Sequence, residues 1–439
     1  MNNPTNIPLS SSRWWRLIPI VFITYSLAYL DRANYSFAAA SGMAGDLKIT
    51  SAMSSLLGAL FFLGYFAFQI PGTLYAEKRS VKRLIFWCLI GWGSLATVTG
   101  MISNIPALMA IRFFLGAFEA AVMPAMVLYV SSWFTSSERS RANAFLMLGN
   151  PVTVLWMSIV SGYLVQTLNW RWMFIIEGLP SILWAFCWWM LVQDKPSQAK
   201  WLSQQEKDAL ERTLAEEQKG KKPMNYGEAF RSGKVILFCA QFFLQSIGIY
   251  GYVLWLPSII KQGSGLNIAD AGWLSAGPYL AAVIGMIVVS WLSDRFGERR
   301  RFVYSSLIIG GLGFFGSYLV GAQNFWLSYA LLIVGGIGLY VPTPLLFAMI
   351  REFLPGNVAG GATALVNSMG ALGAFLGSFF VGYLNGVTGS PTWSFMLMSL
   401  ALLISGMLVF FMRSRSASGA SCSAPEVSPN ASNPGRIPA

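Results

Sequence analysis

A chain of 439 residues that is 55% hydrophobic and only 11% charged, with a mean hydropathy of +0.56 and no histidine, lacks more than half of the roughly 25% charge of a soluble domain. Water is therefore not its main solvent, and its apolar content suffices for roughly twelve spans of about 20 residues each. The missing histidine excludes a histidine base, metal ligand or pH switch, so proton chemistry must run on carboxylates. Cys88, Cys187, Cys239 and Cys422 have no CxxC spacing and three lie in apolar runs, which indicates neither a disulfide framework nor a metal site.

In chain order, twelve apolar segments are predicted within 17–40, 52–76, 84–103, 106–132, 143–167, 172–193, 235–260, 271–292, 302–321, 325–350, 360–385 and 391–412. The first is too long for a cleaved signal peptide and contains Asp31-Arg32, so it is expected to stay. With both termini on the cytoplasmic side, that side holds 25 of the 30 basic residues and the opposite side only Lys48, Arg171 and Lys261, a strong positive-inside asymmetry. The net charge of +12 thus reports topology and attraction to anionic lipid, and gives a nucleic-acid partner little support. Tryptophans at the segment ends, such as Trp14, Trp170 and Trp291, read as an interfacial belt.

The expected organisation is an all-α membrane protein of two six-helix bundles, 1–193 and 235–412, joined by a cytoplasmic loop 194–234, with a disordered cytoplasmic tail 413–439. Within the loop, Ser203-Gln204-Gln205-Glu206 is a capping-box pattern that opens a short amphipathic helix. The halves repeat. Glu77, Arg79 and their basic neighbours after the second segment align with Asp294, Arg295 and theirs after the eighth at an offset of 217 residues. Two related six-helix units are the architecture of a rocking transporter whose substrate sits between them. Prolines inside the segments, among them Pro124, Pro151, Pro342 and Pro344, interrupt helical hydrogen bonds and offer kinks. Gly370, Gly373 and Gly377 suit close packing of the eleventh segment.

A charge in the hydrocarbon core costs at least about 2.5–3.5 kcal/mol, and only Asp31, Arg32, Arg112, Glu119 and Glu177 bear that cost. All five are in the N-terminal half. Tyr25, Tyr29, Arg32 and Ser36 follow i, i+4, i+7, i+11 on one helical face, a stripe that offers a guanidinium fork to a carboxylate and phenols to hydroxyls. The alternative is that Arg32 only neutralises a carboxylate between helices. Arg112 and Glu119, seven apart, share a face, so Glu119 is either a protonation site or the partner of Arg112. Glu177, near the outer end of the sixth segment within reach of water or Arg171, reads as structural. Tyr65 with Gln69, Gln241 with Gln245, Gly248 and Tyr252, and the buried amides Asn150 and Asn367 are the uncharged candidates. A buried amide also serves as an interhelical hydrogen bond.

These residues resemble a known family. The acidic-then-basic loops after the second and eighth segments are similar to the signature loop of the major facilitator superfamily. Tyr29-Leu30-Asp31-Arg32-Ala33-Asn34, Arg112-Phe113-Phe114-Leu115-Gly116-Ala117-Phe118-Glu119, Trp172-Met173-Phe174-Ile175-Ile176-Glu177 and Trp201-Leu202-Ser203-Gln204-Gln205-Glu206 together resemble its anion:cation symporter branch, which includes bacterial carriers for galactonate, glucarate, hexuronates, rhamnonate, tartrate and hydroxyphenylacetate. The resemblance spans about 13–412. Glu77 stands where the family's loop has Asp and Ser80 where it has Gly, so the N-terminal latch departs from the pattern. The resemblance implies that positions matching Tyr29, Arg32, Tyr65, Asn150 and Asn367 line the substrate site, that Asp31, Arg112 and Glu119 handle protons, and that Glu77, Arg79, Asp294 and Arg295 gate the cytoplasmic side. Gln245 joins the substrate set from its periodicity alone.

The resulting expectation is a non-enzymatic, proton-coupled importer of a small organic anion such as a sugar acid. It needs no cofactor or metal and works by alternating access as a monomer in a bacterial inner membrane. The open alternatives are export or antiport, and a dicarboxylate or aromatic acid as substrate.

Overall fold

The structure is a computed structural model and describes residues 12–219, 227, 231–354, 356–390 and 392–412. The predicted tail 413–439 and most of the second half of the central loop lie outside these residues. The described chain folds into long helices: span 1 (Ser12–Ala40), span 2 (Ser51–Lys78), span 3 (Val81–Thr99), span 5 (Ser136–Thr167), span 6 (Trp170–Leu191), span 7 (Gly233–Ser264), span 8 (Ile268–Phe296), span 9 (Arg299–Val320), span 11 (Gly356–Thr388) and span 12 (Thr392–Phe411). Spans 4 and 10 are each made of two helices, Ile105–Glu119 with Val122–Trp133 and Phe325–Tyr340 with Pro342–Phe353. Eleven of these membrane-length elements are long and apolar enough to cross a bilayer. Span 1 completes the twelve. Its hydropathy is diluted by Tyr25, Tyr29, Asp31, Arg32, Asn34 and Ser36, all of them buried, so its polar face looks into the protein and away from lipid.

The two interruptions correspond. Pro124 and Pro342 are 218 residues apart, within one residue of the offset between the repeated loops. A proline has no N–H to give the carbonyl four residues earlier, so each span breaks just before it, at Ala120-Ala121 and at Val341. Irregular backbone at membrane depth is tolerated where it is buried in protein or lines a cavity. Glu119 ends the first helix of span 4 and Tyr340 the first helix of span 10, so both interruptions place a polar side chain in the middle of the molecule.

The central loop carries the expected short helix, Gln204–Gln218, and its capping box forms: the Ser203 hydroxyl accepts from the Glu206 amide, and the Glu206 carboxylate accepts from the Ser203 amide. The helix is tied to span 5 by an Arg139–Glu217 ion pair at 3.3 Å.

The halves meet along spans 2 and 11, 5 and 8, and 1 and 7. Span 11 packs closely because it lacks side chains at the crossings: a Cβ on Gly377 would stand 2.5 Å from the Ile247 carbonyl oxygen of span 7, and one on Gly382 would collide with Ser55 of span 2. The ends of the spans opposite the central loop are drawn together. Lys261 Nζ of span 7 donates to the Ala40 carbonyl of span 1 at 3.0 Å, and the Ala269 amide of span 8 donates to Gln166 Oε1 of span 5 at 3.0 Å. These contacts tie the two halves together on the far side.

Candidate functional site

Between the halves lies a cavity of about 80 Å³ lined by Tyr25, Tyr29, Arg32, Tyr65 and Asn150 from the N-terminal half and by Ser246, Tyr250, Tyr340, Thr343 and Asn367 from the C-terminal half. One water needs about 10–15 Å³ by this measure, so the space suits several waters or a small solute. A narrow extension runs past Arg32 to Arg112. Toward the loop side, a larger space of about 370 Å³ shares Met147, Met286, Pro344 and Phe347 with the central cavity and reaches Asp294 and Arg299. The cavity is thus separated from the loop-side space by these four shared side chains.

Arg32 is the one cation in the cavity wall among the described residues. Its Nε donates to Glu119 Oε2 at 2.9 Å, with the carboxylate fully buried. Its guanidinium carbon sits 4.5 Å from the centre of the Tyr29 ring and 4.7 Å from that of Tyr65. Desolvated contacts of this kind are worth up to about 2 kcal/mol each, so the rings hold the fork in place. Nη2 of Arg32 has no hydrogen-bond partner and neither has Glu119 Oε1. The pair is thus half-used on both sides: the arginine keeps a free donor beside the cavity and the carboxylate keeps a free oxygen.

From sequence, Glu119 is either a protonation site or the partner of Arg112. The structure gives it Arg32, from span 1, rather than Arg112 on its own helix. Arg112 lies 4.6 Å above the Tyr35 ring, its Nε donates to the Leu57 carbonyl at 3.3 Å, and it acts on Glu119 and Asp31 through space. Asp31, on a different face of span 1 from Arg32, receives a 3.4 Å hydrogen bond from Asn34 Nδ2 and lies outside the cavity wall. All five intramembrane charges are at most 8% exposed.

Tyr29, Arg32, Tyr65, Asn150 and Asn367 are brought together around the cavity; Gln245 is not. Its side chain is fully buried, accepts from Gln241 Nε2, and donates to the Leu339 carbonyl at 3.0 Å and Thr343 Oγ1 at 3.1 Å. The physical reason is the break in span 10, whose backbone acceptors need a donor inside the membrane. Tyr252 is likewise turned away and donates to the Leu332 carbonyl at 3.3 Å. The face of span 7 that meets the cavity is Phe242, Ser246, Ile249 and Tyr250. Ser246, Tyr250, Tyr340 and Thr343 were not singled out from sequence; the prolines after Tyr340 were the available signal for two of them.

Glu177 also departs from expectation. It reaches neither water nor Arg171: it is buried and accepts a 2.5 Å hydrogen bond from Ser161 Oγ, while Arg171 binds the Gly100 and Ile102 carbonyls and Ser103. On the loop side, Asp294 forms a latch with Arg299, at 2.9 Å, and Arg299 also pairs with Glu352 at the end of span 10. Arg295 is not part of that latch; its guanidinium rests on the Trp291 ring at 5.4 Å. In the N-terminal half Glu77 and Arg79 are exposed, and the buttress there is Asp194, which accepts from Ser80 Oγ at 2.6 Å and the Lys82 amide at 2.9 Å. Ser80, the residue that departs from the family's glycine, is thus used as a donor and helix cap.

Twelve membrane-length helices in two repeated sets of six, matching interruptions in spans 4 and 10 and a cavity at their interface define a multi-pass membrane transporter and not an enzyme. The chain belongs to the Major Facilitator Superfamily, which it matches over residues 21–269 and 242–433. A protein of Agrobacterium vitis named as a candidate tartrate transporter is 31% identical over 405 residues, covering 90% of this chain and 93% of that protein. The quinolone resistance transporter of Acinetobacter baumannii is 28% identical over 407 residues, covering 91% and 93%. Among solved structures, a bacterial homologue of the human lysosomal transporter Spinster in an inward-facing, occupied conformation shares the fold, with a TM-score of 0.74 at 15% identity over 91% of this chain and 97% of that one.

Proposed function

We propose that this protein is a proton-coupled symporter that imports a small organic anion, a hydroxylated carboxylate of the sugar-acid kind, across a bacterial inner membrane. Both termini and the central loop face the cytoplasm, and the two six-span halves rock about the central cavity as a monomer. The observation that carries the reading is the half-satisfied Arg32–Glu119 pair beside that cavity.

With Glu119 ionised, its carboxylate competes for Arg32. A proton from the outer side neutralises Glu119 and weakens that claim, and Arg32 then takes the substrate carboxylate through its free donors. Tyr29, Tyr65, Asn150 and Asn367 supply hydrogen bonds to hydroxyls. The loaded centre is better neutralised and can be occluded at lower desolvation cost. On the cytoplasmic side, proton loss restores the Glu119–Arg32 pair and expels the anion. Asp31 and Arg112 set the field around that exchange. The name of the Agrobacterium vitis relative supports a hydroxylated acid as cargo. The C-terminal wall supports one strong carboxylate contact rather than two, because it is lined by hydroxyls, an amide and apolar groups.

The quinolone resistance relative favours a second reading, outward transport of an aromatic acid, to which the tyrosine-rich wall is also suited. Proteoliposomes under an imposed pH gradient separate the two. Accumulation of labelled tartrate or galactonate inside acid-outside vesicles is the expected result; accumulation only in the reverse gradient means export by antiport, and none in either overturns proton coupling.

A further inference from the structure

The charge inventory of the N-terminal half does not balance, and the imbalance is local. At mid-depth, three buried carboxyls, Asp31, Glu119 and Glu177, face two buried guanidiniums, Arg32 and Arg112; the third buried guanidinium of this half, Arg13, is at the loop-side start of span 1 and pairs with Glu138 at 2.9 Å. Arg32 is bound to Glu119, and Arg112 acts on Glu119 and Asp31. Glu177 is left over. The elements packed against span 6 are spans 1, 3 and 5. Span 5 presents the Ser161 hydroxyl, span 1 presents Asn34 and the Asp31 carboxyl, and the bases of span 3, Lys82 and Arg83, are at its loop-side end. On span 6 itself Arg171 is engaged with the loop after span 3. Among the described residues no cation lies against Glu177, and a buried carboxylate without one is the most costly state available to it.

One acceptor atom points to what relieves that cost. Ser161 Oγ donates to Glu177 Oε1, whereas Glu177 Oε2 is buried without a hydrogen-bond partner, and a protonated carboxyl carries no charge that needs a counter-ion. Asn34 Nδ2 is directed at Asp31 Oδ1. At about 1.5 Å per residue, Glu177 is about 10 Å along span 6 from its far-side end at Trp170, Asp31 about 14 Å along span 1 from Ala40, and Glu119 about 21 Å along span 4 from Ile105. The three carboxyls are graded in depth.

We propose that Glu177 is a third proton-binding group of this carrier, the one nearest the far side. This rests on the proton-coupled reading above. The step is the gain of one proton from far-side water by a carboxylate oxygen: an O–H bond forms on Glu177, its charge falls to zero, and the buried site no longer needs a cation; on release the proton returns to water.

The test is infrared spectroscopy of the purified full chain in lipid, titrated with pH. The expected result is a titrating carboxylic-acid C=O band that E177Q lacks and that Ser161→Ala, which keeps the acid but removes its hydroxyl partner, moves without deleting. E177Q retains an acceptor for Ser161, so a purely structural Glu177 would leave the titrating bands as in wild type, and that outcome overturns the proposal. Glu177→Asp serves as the second variant: a moved band supports the assignment, and a band unchanged from wild type overturns it. Proton-driven uptake by wild-type vesicles separates the two levels. Uptake with no Glu177 band defeats this inference alone, and the band without uptake defeats the transport reading alone.

Discussion

The two halves share one architecture and divide the chemistry. Each has six spans, each breaks its fourth span ahead of a proline, and each sends a side chain from that break to the centre. The N-terminal half fills its centre with five charged side chains; the C-terminal half has none at its centre among the described residues, its charges lying at the span ends, and it satisfies its break with an amide network, Gln241 to Gln245 and Ser405, then Gln245 to Leu339 and Thr343. The difference teaches what symmetry fixes and what it leaves free. The repeat fixes where irregular backbone meets the cavity, because the same proline defect recurs. It does not fix polarity, because a freed carbonyl accepts from an uncharged amide as readily as from an arginine. On the proposed reading, the charged half carries the anion and the proton and the neutral half adapts to the rest of the substrate.

The most damaging blow to this division is removal of the cation. Arg32→Ala deletes the fork and leaves Glu119 buried without its partner. Anion affinity is expected to fall about 100-fold or more, from the loss of two charge-assisted hydrogen bonds at about 1.5–3 kcal/mol each. Isothermal calorimetry with the tightest acid of a hydroxycarboxylate panel measures it, and unchanged binding would end the assignment of the anion to the N-terminal half. A more selective change is Glu119→Gln, which keeps an acceptor for Arg32 while removing the proton site. Binding and anion exchange are expected to persist while accumulation under a pH gradient stops; full accumulation in flux assays would remove Glu119 from the coupling role. Smallest is the effect of Gln245→Ala in the neutral half. Losing the donor to Leu339 is expected to lower stability by about 0.6–2 kcal/mol and to change anion affinity by no more than about threefold. Thermal unfolding in detergent with and without ligand reads both, and a loss of binding comparable to Arg32→Ala would return Gln245 to the substrate site.

The fold was legible because its signals are long-range averages: twelve apolar runs, a one-sided distribution of basic residues and a repeat near half the chain length. Individual charges were legible too, since Asp31, Arg32, Arg112, Glu119 and Glu177 stand alone in hydrocarbon. Their pairing was not. A spacing of seven places Arg112 and Glu119 on one helical face, but Glu119 binds a residue 87 positions earlier, and periodicity within one helix carries no information about its neighbour. Span 7 misled for a related reason. Surrounded by protein rather than lipid on most of its length, it has polar residues on more than one face, so the stripe of Gln241, Gln245 and Tyr252 could not be told from the cavity face that holds Ser246 and Tyr250. The partner of Glu177 was not legible either: its place in the sixth segment put it within reach of water or Arg171, whereas the hydrogen bond it accepts from Ser161 is visible only in three dimensions.

The central claim is that proton and anion contest one arginine, and the pH dependence of anion affinity tests it most directly. Ionised Glu119 holds Arg32, so affinity is expected to weaken as pH rises in wild type and to lose most of that dependence in Glu119→Gln. Equal pH dependence in the two proteins, or none in wild type, would contradict the account.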